Sequence, residues 1–386
     1  MKILIVLTYF EPHKSGLTVY AVRQARALVE RGHEVTVLTS RYDPELPLEE
    51  IDHGVRIVRL PVAFRLSKGV IMPGMPFVAW GLIHEADLVN LHVPQVDAAL
   101  VTLLARWRRT PVVLTYHCDI KMPSGFINRL AGWAANLANR LSARWADAIV
   151  HNTRDYAEHS PFLSRYLDKL AVIQPPIAVS EVNEADVMDF KDRYGITPEN
   201  KVIGMVARLA TEKGVEYLVE AMPEILAAVP EARVLTVGDY ENVFGEAAYA
   251  RKLLPMIRTM GDHWQFLGKA PDKEKTALYH VSDVLVLPSI NSTESFGMVQ
   301  VEAMICGTPV VATDLPGVRQ PLQSTGMGRV VPIRDAHALA EAVIAVLRDP
   351  PPADPLATAA LANVYSSETV AGAYEALYRK VLSWDA

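Results

Sequence analysis

Cysteine is scarce in this sequence, and several signatures of metal and cofactor sites are missing with it. The 386 residues include two cysteines, Cys118 and Cys306, which lie in no metal-binding or redox spacing. A disulfide scaffold is therefore excluded, and a reducing cytoplasm suits the chain. There is no His-Glu-x-x-His motif, P-loop or complete Gly-x-Gly-x-x-Gly. The sequence thus predicts no metal site and no required cofactor.

Long apolar runs are also absent. The longest nearly apolar stretch, residues 69–83, is interrupted by Pro73 and Pro76, and a bilayer span needs roughly 20 apolar residues. Residues 2–7 are followed by no small-residue cleavage site, so we interpret them as a first β-strand rather than a signal peptide. We expect a cytoplasmic protein without a membrane span, with peripheral attachment to the inner face of the membrane left open.

The basic residues are not gathered into one run, which argues against nucleic-acid binding. The net charge of −6 is unevenly distributed, because residues 1–176 contain 20 Lys and Arg against 16 Asp and Glu, and the acidic excess follows them. The N-terminal half is therefore better suited to an anionic partner or surface. Ordinary scatter of surface charge explains the asymmetry equally well.

Short β-branched runs alternate with helical patterns along the chain, in two series. Most of the runs are continuously apolar, as expected when helices cover both faces of a parallel sheet. The pattern predicts an α/β protein with two doubly wound, Rossmann-like domains. The predicted strands are residues 2–7, 34–38, 55–60, 88–91, 112–115, 148–151 and 171–173, then 201–206, 233–237, 264–267, 284–287 and 310–312; predicted helices include 17–31, 97–107 and 126–145.

The domain boundary is predicted near Pro175 and Pro176, which are followed by an acidic, polar stretch to Asn200. We therefore expect domains at residues 1–176 and 177–365. Residues 366–386 contain one amphipathic helix, which could pack on either domain. Ligands of open α/β sheets bind outside the carboxyl ends of the strands, so a cleft between two such domains is where we expect the chemistry.

One motif lies where the 284–287 strand ends and a helix begins, near Gly297. Glu294 precedes this helix and Glu302 lies within it. The amides of a first helical turn carry a partial positive charge and bind phosphate readily. Alternatively, Glu294 or Ser295 caps the helix and Glu302 is a solvated surface residue.

A second motif, residues 204–214, follows the first strand of the second domain and leads into a helix. Arg208 and Lys213 would emerge at the carboxyl end of that strand, where two cations suit a diphosphate. The alternative is a surface arginine beside a helix-start lysine. A lysine at a helix start opposes the helix dipole, however, and a local anion would compensate it.

Weaker candidates occur after other strands. Gly16 could let the backbone approach a phosphate, and His117, with Asp119 close behind it, lies at a strand end suited to a cleft. Gly238 and Lys269 follow two strands of the second series. Each of these residues could equally belong to a simple turn or a structural hydrogen bond.

Taken together, these residues make the chain resemble the family-4 retaining glycosyltransferases of the GT-B fold over essentially its whole length. The resemblance is carried by Glu294 and Glu302 with seven residues between them, by the following Ala303-Met304 and 306–312 (CGTPVVA), by Arg208 with Lys213, and by His117. It implies that Arg208 and Lys213 hold the donor diphosphate, Glu294 contacts sugar hydroxyls and Glu302 contacts the ribose. It further implies roles for the amides of Phe296, Gly297, Met298 and Val299 toward sugar and phosphates, for the Lys269 backbone toward the base, for His117 near the transferred sugar, and for Gly16 in a glycine loop.

The sequence departs from the family pattern in three places. Ser15-Gly16 stands where Gly-Gly is frequent, which puts the close backbone approach in doubt. Cys118 separates His117 from Asp119, which weakens a role for Asp119. Gln174-Pro175-Pro176 replaces the usual Pro-Asn-Gly. The C-terminal helix resembles the family's crossing helix, which returns to the first domain.

The resemblance implies transfer of a sugar from a UDP- or GDP-linked donor to a hydroxyl acceptor, with retention of configuration. The acceptor would be a glycan, a lipid-linked sugar or a small molecule, as in cell-envelope glycan synthesis. Alternatives are a sugar phosphorylase or a nucleotide-sugar epimerase on the same fold, and a non-catalytic sugar-binding protein. Residues 61–83 and 105–109 mix aromatic, apolar and cationic side chains, which suggests a lipid-linked acceptor at a membrane surface; a core-packing loop and a solvated helix end explain them equally well.

Overall fold

Two sheets organise the chain in the computed structural model, which describes residues 1–66, 69–119, 126–241, 243, 245–352 and 354–384. The chain divides into an N-terminal unit, Met1–Pro176 with Val364–Ala386, and a C-terminal unit, Ile177–Asn363. Residues 67–68, in the predicted 61–83 segment, and 385–386, at the end of the C-terminal segment, lie outside the described residues.

The N-terminal unit contains an eight-stranded sheet in the order β10-β9-β8-β7-β1-β2-β4-β3. All neighbouring strands are parallel except the edge strand β3, which is antiparallel to β4. Each residue of β7, β8 and β9 is buried, as expected for central strands covered on both faces. The strands are β1 (Lys2–Val6), β2 (Glu34–Arg41), β3 (Glu49–Asp52), β4 (Val55–Pro61), β7 (Leu88–Val93), β8 (Val112–Tyr116), β9 (Ala148–His151) and β10 (Leu170–Val172), with a separate hairpin of β5 (Phe64–Leu66) and β6 (Gly69–Ile71).

Helices cover both faces of this sheet and bury two apolar clusters against it. One cluster includes residues of α2 and α3, and the other includes residues of α1 and α14. The helix α1 begins one residue earlier than predicted because the Ser15 hydroxyl caps it, accepting a bond from the Thr18 amide at 3.2 Å. The helices are α1 (Gly16–Glu30), α2 (Met75–Glu85), α3 (Ala98–Arg108), α4 (Phe126–Trp145), α5 (Arg154–His159) and α14 (Ser367–Trp384).

The C-terminal unit contains a six-stranded parallel sheet in the order β13-β12-β11-β14-β15-β16. Its strand order reverses between β11 and β14, which is the switch point at which doubly wound sheets bind ligands. The strands are β11 (Lys201–Val206), β12 (Ala232–Val237), β13 (Trp264–Gly268), β14 (Val284–Leu287), β15 (Val310–Thr313) and β16 (Gly328–Val331). The helices are α6 (Glu184–Tyr194), α7 (Val215–Ala228), α8 (Ala247–Arg258), α9 (Asp272–Val281), α10 (Met298–Ile305), α11 (Arg319–Thr325), α12 (Ala336–Arg348) and α13 (Pro355–Val364).

The two doubly wound domains predicted from the sequence are confirmed, with strand ends that differ by up to three residues. The acidic, polar stretch that follows Pro176 contains α6, which an Asn183–Asp186 capping box starts and whose Phe190 is buried. The C-terminal helix packs on α1, with Tyr374 and Tyr378 fully buried. Among the described residues, no helix combines the length and hydropathy needed to cross a bilayer.

Candidate functional site

The loops after β11 and β14 meet at the switch point of the C-terminal sheet. The loop after β11 contains Arg208 and Lys213, and the loop after β14 contains Glu294 and leads into α10. The amide of Ile290 donates to the Glu212 carbonyl at 3.0 Å, which ties the two loops together. The two motifs recognised in the sequence are thus adjacent in the fold.

Lys213 and Glu294 form an ion pair at this junction. The Lys213 Nζ lies 2.5 Å from the Glu294 Oε2, and the Ser289 hydroxyl donates to the same oxygen at 3.3 Å. The two side chains are 23% and 14% exposed, so the pair is partly shielded from water but still reachable. The Glu294 carboxylate is therefore the anion that compensates the charge of Lys213 at this helix start.

Arg208 extends further into solvent. Its side chain is 47% exposed, and its Nη2 lies 3.1 Å from the Glu212 Oε1. The arginine can exchange this half-buried partner for another anion at little cost, because an ion pair made by a solvent-exposed arginine contributes only about 0–1 kcal/mol.

A sharp turn brings the chain into α10. Gly297 precedes the helix with φ of 77°, and a Cβ there would lie 2.5 Å from the Leu287 Cδ2. The Gln300 side-chain amide donates to the Phe296 carbonyl and, at 2.9 Å, to the Val318 carbonyl. The expectation that Glu294 or Ser295 caps this helix is wrong, because the cap residue is Gly297 and Glu294 is bonded to Lys213. No side chain of the described residues caps α10, which leaves the first-turn amides of Met298 and Val299 available to an anion.

Glu302 is buried within α10, so its interpretation as a solvated surface residue is wrong. It is 3% exposed, its Oε2 accepts a bond from the Tyr279 hydroxyl at 2.8 Å, and the Lys275 Nζ lies 3.1 Å from the same oxygen. Both partners come from α9, which packs against α10. Burial, and secondarily Glu302, raises the pKa of the nearby Cys306 thiol to about 12.

Gly238 lies where the exits of β11 and β12 touch. A side chain there would overlap the Ala207 carbonyl and crowd the Arg208 amide, and φ is 142°. The Gly238 amide donates to the Gly268 carbonyl at 2.8 Å, just before Lys269. The Lys269 side chain is 81% exposed and pairs with Asp239 at 3.3 Å, so its backbone is the part with a fixed position.

His117 lies in the N-terminal unit, directly after β8, and is 9% exposed. Its Nε2 is 2.9 Å from the Nδ1 of His92, near the end of β7, and the two rings are stacked. Tyr20, one turn after Gly16 on α1, meets the His117 ring edge-on at 5.0 Å. Burial, then the neighbouring His92 and His151, lowers the pKa of His117 well below its usual range, so the imidazole is neutral at pH 7.

Gly16 and Asp119 have different surroundings from His117. Gly16 is exposed in the first turn of α1. Asp119 Oδ1 accepts bonds from the hydroxyls of Tyr116 (2.8 Å) and Ser160 (2.7 Å), and the Asp119 amide donates to the Tyr156 hydroxyl at 2.8 Å. These bonds fix the start of the loop that follows β8, so Asp119 has a structural role.

The structure thus brings together Lys213 with Glu294 and Gly238 with the Arg208 backbone, whereas Gly16 and His117 belong to the N-terminal unit. Sequence reasoning missed His92, Ser289, Tyr279 and Lys275. Ser289 follows its strand after one proline, in the same loop as Glu294, so it could have been included with that loop. His92, Tyr279 and Lys275 lie on a strand and a helix whose sequences indicate only ordinary packing.

Comparison with known families gives two matches that together cover most of the chain. Residues 15–176 match the model described as "Glycosyl transferase 4-like domain", and residues 186–362 match the model described as "Glycosyl transferases group 1".

Two curated relatives match over nearly the full length. The 2-deoxystreptamine glucosyltransferase of Streptomyces kanamyceticus is 30% identical over 87% of this chain and 90% of its own. The phosphatidyl-myo-inositol mannosyltransferase of Mycolicibacterium smegmatis is 27% identical over 90% of this chain and 85% of its own.

Among solved structures, the Anabaena protein HepE in complex with UDP superposes with a TM-score of 0.77 at 20% identity, covering 98% of this chain and all of its own. Similarity at this level of identity concerns the fold.

Proposed function

Since the chain belongs to the family-4 glycosyltransferases of the GT-B fold, we propose that it transfers a sugar from a UDP- or GDP-linked donor to a hydroxyl acceptor, with retention of configuration. The single observation that supports this most is the arrangement at the β11–β14 switch point. There, two cations, a carboxylate and an uncapped helix start surround the carboxyl ends of two adjacent strands.

Each part of this arrangement suits one part of a nucleotide-sugar. Lys213, Arg208 and the amides of Phe296, Gly297, Met298 and Val299 offer positive charge to a diphosphate. When the donor diphosphate binds Lys213, the carboxylate oxygens of Glu294 become available to sugar hydroxyls. Glu302 accepts from the ribose, and the Lys269 backbone meets the base.

The chemical step then depends on stabilising the leaving diphosphate. Its charge grows as the bond to the sugar breaks, and Arg208, Lys213 and the α10 amides stabilise that charge in place of a metal ion. No described side chain of the site is an obvious nucleophile toward the sugar, so the acceptor hydroxyl attacks from the face that the diphosphate leaves. The bond from the acceptor oxygen to the anomeric carbon forms as the bond to the diphosphate breaks, and the hydroxyl proton passes to the departing diphosphate. The transfer rate is therefore expected to be insensitive to EDTA.

The donor is identified by a thermal-shift screen of UDP- and GDP-sugars, followed by transfer assays with the best ligand. The first acceptors to test are phosphatidylinositol and 2-deoxystreptamine, which the relatives' names suggest. We expect Glu294→Gln to abolish transfer, whereas the exposed Glu341→Gln, on α12, leaves it unchanged. Release of sugar 1-phosphate by inorganic phosphate would instead indicate a phosphorylase, conversion of the donor without an acceptor an epimerase, and binding without turnover a sugar-binding protein.

A lipid-borne acceptor is supported by one layer of helices in the N-terminal unit. There α2 packs on α3, and α3 packs on α4. The predicted core packing of residues 61–83 holds in part, because Met72, Met75 and Ala79 are buried. We define the aromatic–arginine face as the exposed side chains of Phe77, Trp80, Trp107, Trp133, Arg106 and Arg109, together with the half-buried Arg108.

This face combines the two properties that bind an anionic bilayer. Phe77 is 81% exposed and Trp107 is 68% exposed, and aromatic side chains insert at the headgroup level. The Arg108 guanidinium lies 4.0 Å from the centre of the Trp80 ring. Each arginine near an anionic surface adds about 1 kcal/mol of attraction.

Vesicle co-sedimentation tests this part of the proposal. The chain is expected to sediment with vesicles containing phosphatidylglycerol and not with phosphatidylcholine alone. Phe77→Ser combined with Trp107→Ser should release it. The control is Ile51→Ser, because Ile51 is 76% exposed on β3 of the same unit. Equal sedimentation of the two variants would exclude the aromatic–arginine face as the membrane contact.

A further inference from the structure

His92 is a buried histidine that the proposed reaction does not use. It is 1% exposed, near the carboxyl end of β7, whereas His117 beside it keeps 9% of its surface. Burial lowers the pKa of His92 to about 3. His117 therefore presents the accessible ring of the pair, and His92 supports it from behind.

The contact between the rings restricts where their protons can be. Both imidazoles are neutral near pH 7, so each carries one N–H and one bare nitrogen. At 2.9 Å, the His92 Nδ1 and the His117 Nε2 form a hydrogen bond in which one nitrogen donates and the other accepts. Only two proton arrangements satisfy this condition.

The far side of His92 distinguishes the two arrangements. Its Nε2 is buried and has no hydrogen-bond partner within the described part of the chain. If His117 donated, this Nε2 would carry a buried and unsatisfied N–H. If His92 donates from Nδ1, its Nε2 is bare, and an unsatisfied acceptor is better tolerated than an unsatisfied donor. His117 then accepts at Nε2 and carries its own proton on Nδ1.

We infer that His92 is a positioning residue that holds His117 as a neutral imidazole protonated on Nδ1. His117 therefore offers an N–H to a substrate oxygen and does not act as a base. The assignment of His117 to the substrate rests on the proposed function, whereas the proton position does not.

Other elements hold the pair in place. Tyr20 lies edge-on to both rings, and its hydroxyl is 2.8 Å from the Tyr374 hydroxyl of α14. The Tyr374 hydroxyl is also 3.1 Å from Thr115 Oγ1 on β8. His151, on β9, is the other titratable ring that lowers the pKa of His117. The pair thus has neutral neighbours on α1, α14 and β9.

Nitrogen-15 NMR of the imidazoles in the full chain tests the proton position directly. We expect His117 to be protonated at Nδ1 and His92 also at Nδ1, each with a bare Nε2. A proton on the His117 Nε2 would overturn the inference, whatever reaction the chain catalyses.

Two variants of His92 test the consequence for turnover. His92→Asn keeps a polar group where Nδ1 stands, whereas His92→Gln carries it further out, toward the Nε2 position. We expect His92→Gln to lower kcat about tenfold or more, on the scale seen when the partner that orients a histidine is removed, with donor KM little changed. His92→Asn should stay within about threefold of the parent, and equal losses in the two variants would contradict the role of Nδ1. If neither variant folds, the NMR result alone decides the inference.

Discussion

The Lys213–Glu294 ion pair leads to the sharpest prediction, because stability and turnover should respond to it differently. The pair is partly buried, so its value lies between that of exposed pairs, at about 0.2–1 kcal/mol, and that of buried pairs, at about 3–5 kcal/mol. We expect Lys213→Met to lower the free energy of unfolding by about 1.5–3 kcal/mol, the usual value of a charged hydrogen bond. Of its bonds to the described residues, the Glu294 carboxylate would keep the 3.3 Å bond from Ser289.

Turnover should fall by more than this loss of stability explains. Removing one donor to the leaving group typically costs about 10²–10³ in kcat. The double variant Lys213→Met/Glu294→Gln removes both charges, so we expect it to regain part of the lost stability and none of the activity. Urea unfolding and steady-state kinetics on the same samples separate the two effects.

The matched control is the Lys201–Asp283 pair of the same unit. Lys201 Nζ lies 3.1 Å from Asp283 Oδ1, at the amino end of β11 and away from its carboxyl end. Lys201→Met should cost some stability and leave kcat and donor KM unchanged. If Lys213→Met behaved like this control, with turnover within about twofold of the parent, the reasoning that places the diphosphate at Lys213 would be refuted.

Three further predictions concern Glu302, Cys306 and His92. Glu302→Gln keeps an acceptor for Tyr279 but loses the charge that faces Lys275. Donor KM should rise about tenfold with kcat little changed, because ribose binding is equal in the ground and transition states. A fall in kcat alone would contradict this role. The pKa of Cys306 is raised to about 12, so iodoacetamide at pH 8 should leave this thiol unmodified in the folded chain and label it after denaturation, as mass spectrometry of the peptides would reveal. The pKa of His92, about 3, lies below the ordinary value of 6.5, so its contribution to stability is complete above pH 6.5 and is lost as the pH falls toward 3. His92→Phe should accordingly make the free energy of unfolding less dependent on pH between 6 and 4, by about 1.4 kcal/mol per pH unit. If urea titrations gave an unchanged slope of this free energy against pH, His92 would not be buried in its neutral form.

The central strands were predictable from the sequence because burial on both faces makes them nearly continuous apolar runs, as in β14. The missed strands have little apolar signal. β3 and β16 lie at sheet edges, where no residue of β3 and only Val331 of β16 is buried. β5 and β6 form a separate two-stranded sheet. These strands are held by pairing with a neighbouring strand, as β3 is with β4, rather than by a buried apolar face, so the apolar pattern of the sequence does not reveal them.

The candidate site was predictable in part, for a similar reason. Arg208, Lys213 and Glu294 lie in loops that follow strands, where the topology itself points to a ligand. Glu302 looked solvated because its partners, Tyr279 and Lys275, come from a different helix. The contact between His92 and His117 depends on the pairing of β7 with β8, so neither residue alone indicates it.

The placement of α14 on the N-terminal unit has a consequence for biosynthesis. Tyr20 and its partner Tyr374 are 354 positions apart in the chain, and the whole C-terminal unit is translated between them. At about 5–20 residues per second, the ribosome takes roughly 20–70 s to deliver that partner. Throughout this interval the nascent N-terminal unit exposes the apolar surface of α1 that α14 later covers. A helix synthesised after the whole C-terminal unit therefore covers a sheet that was begun before it.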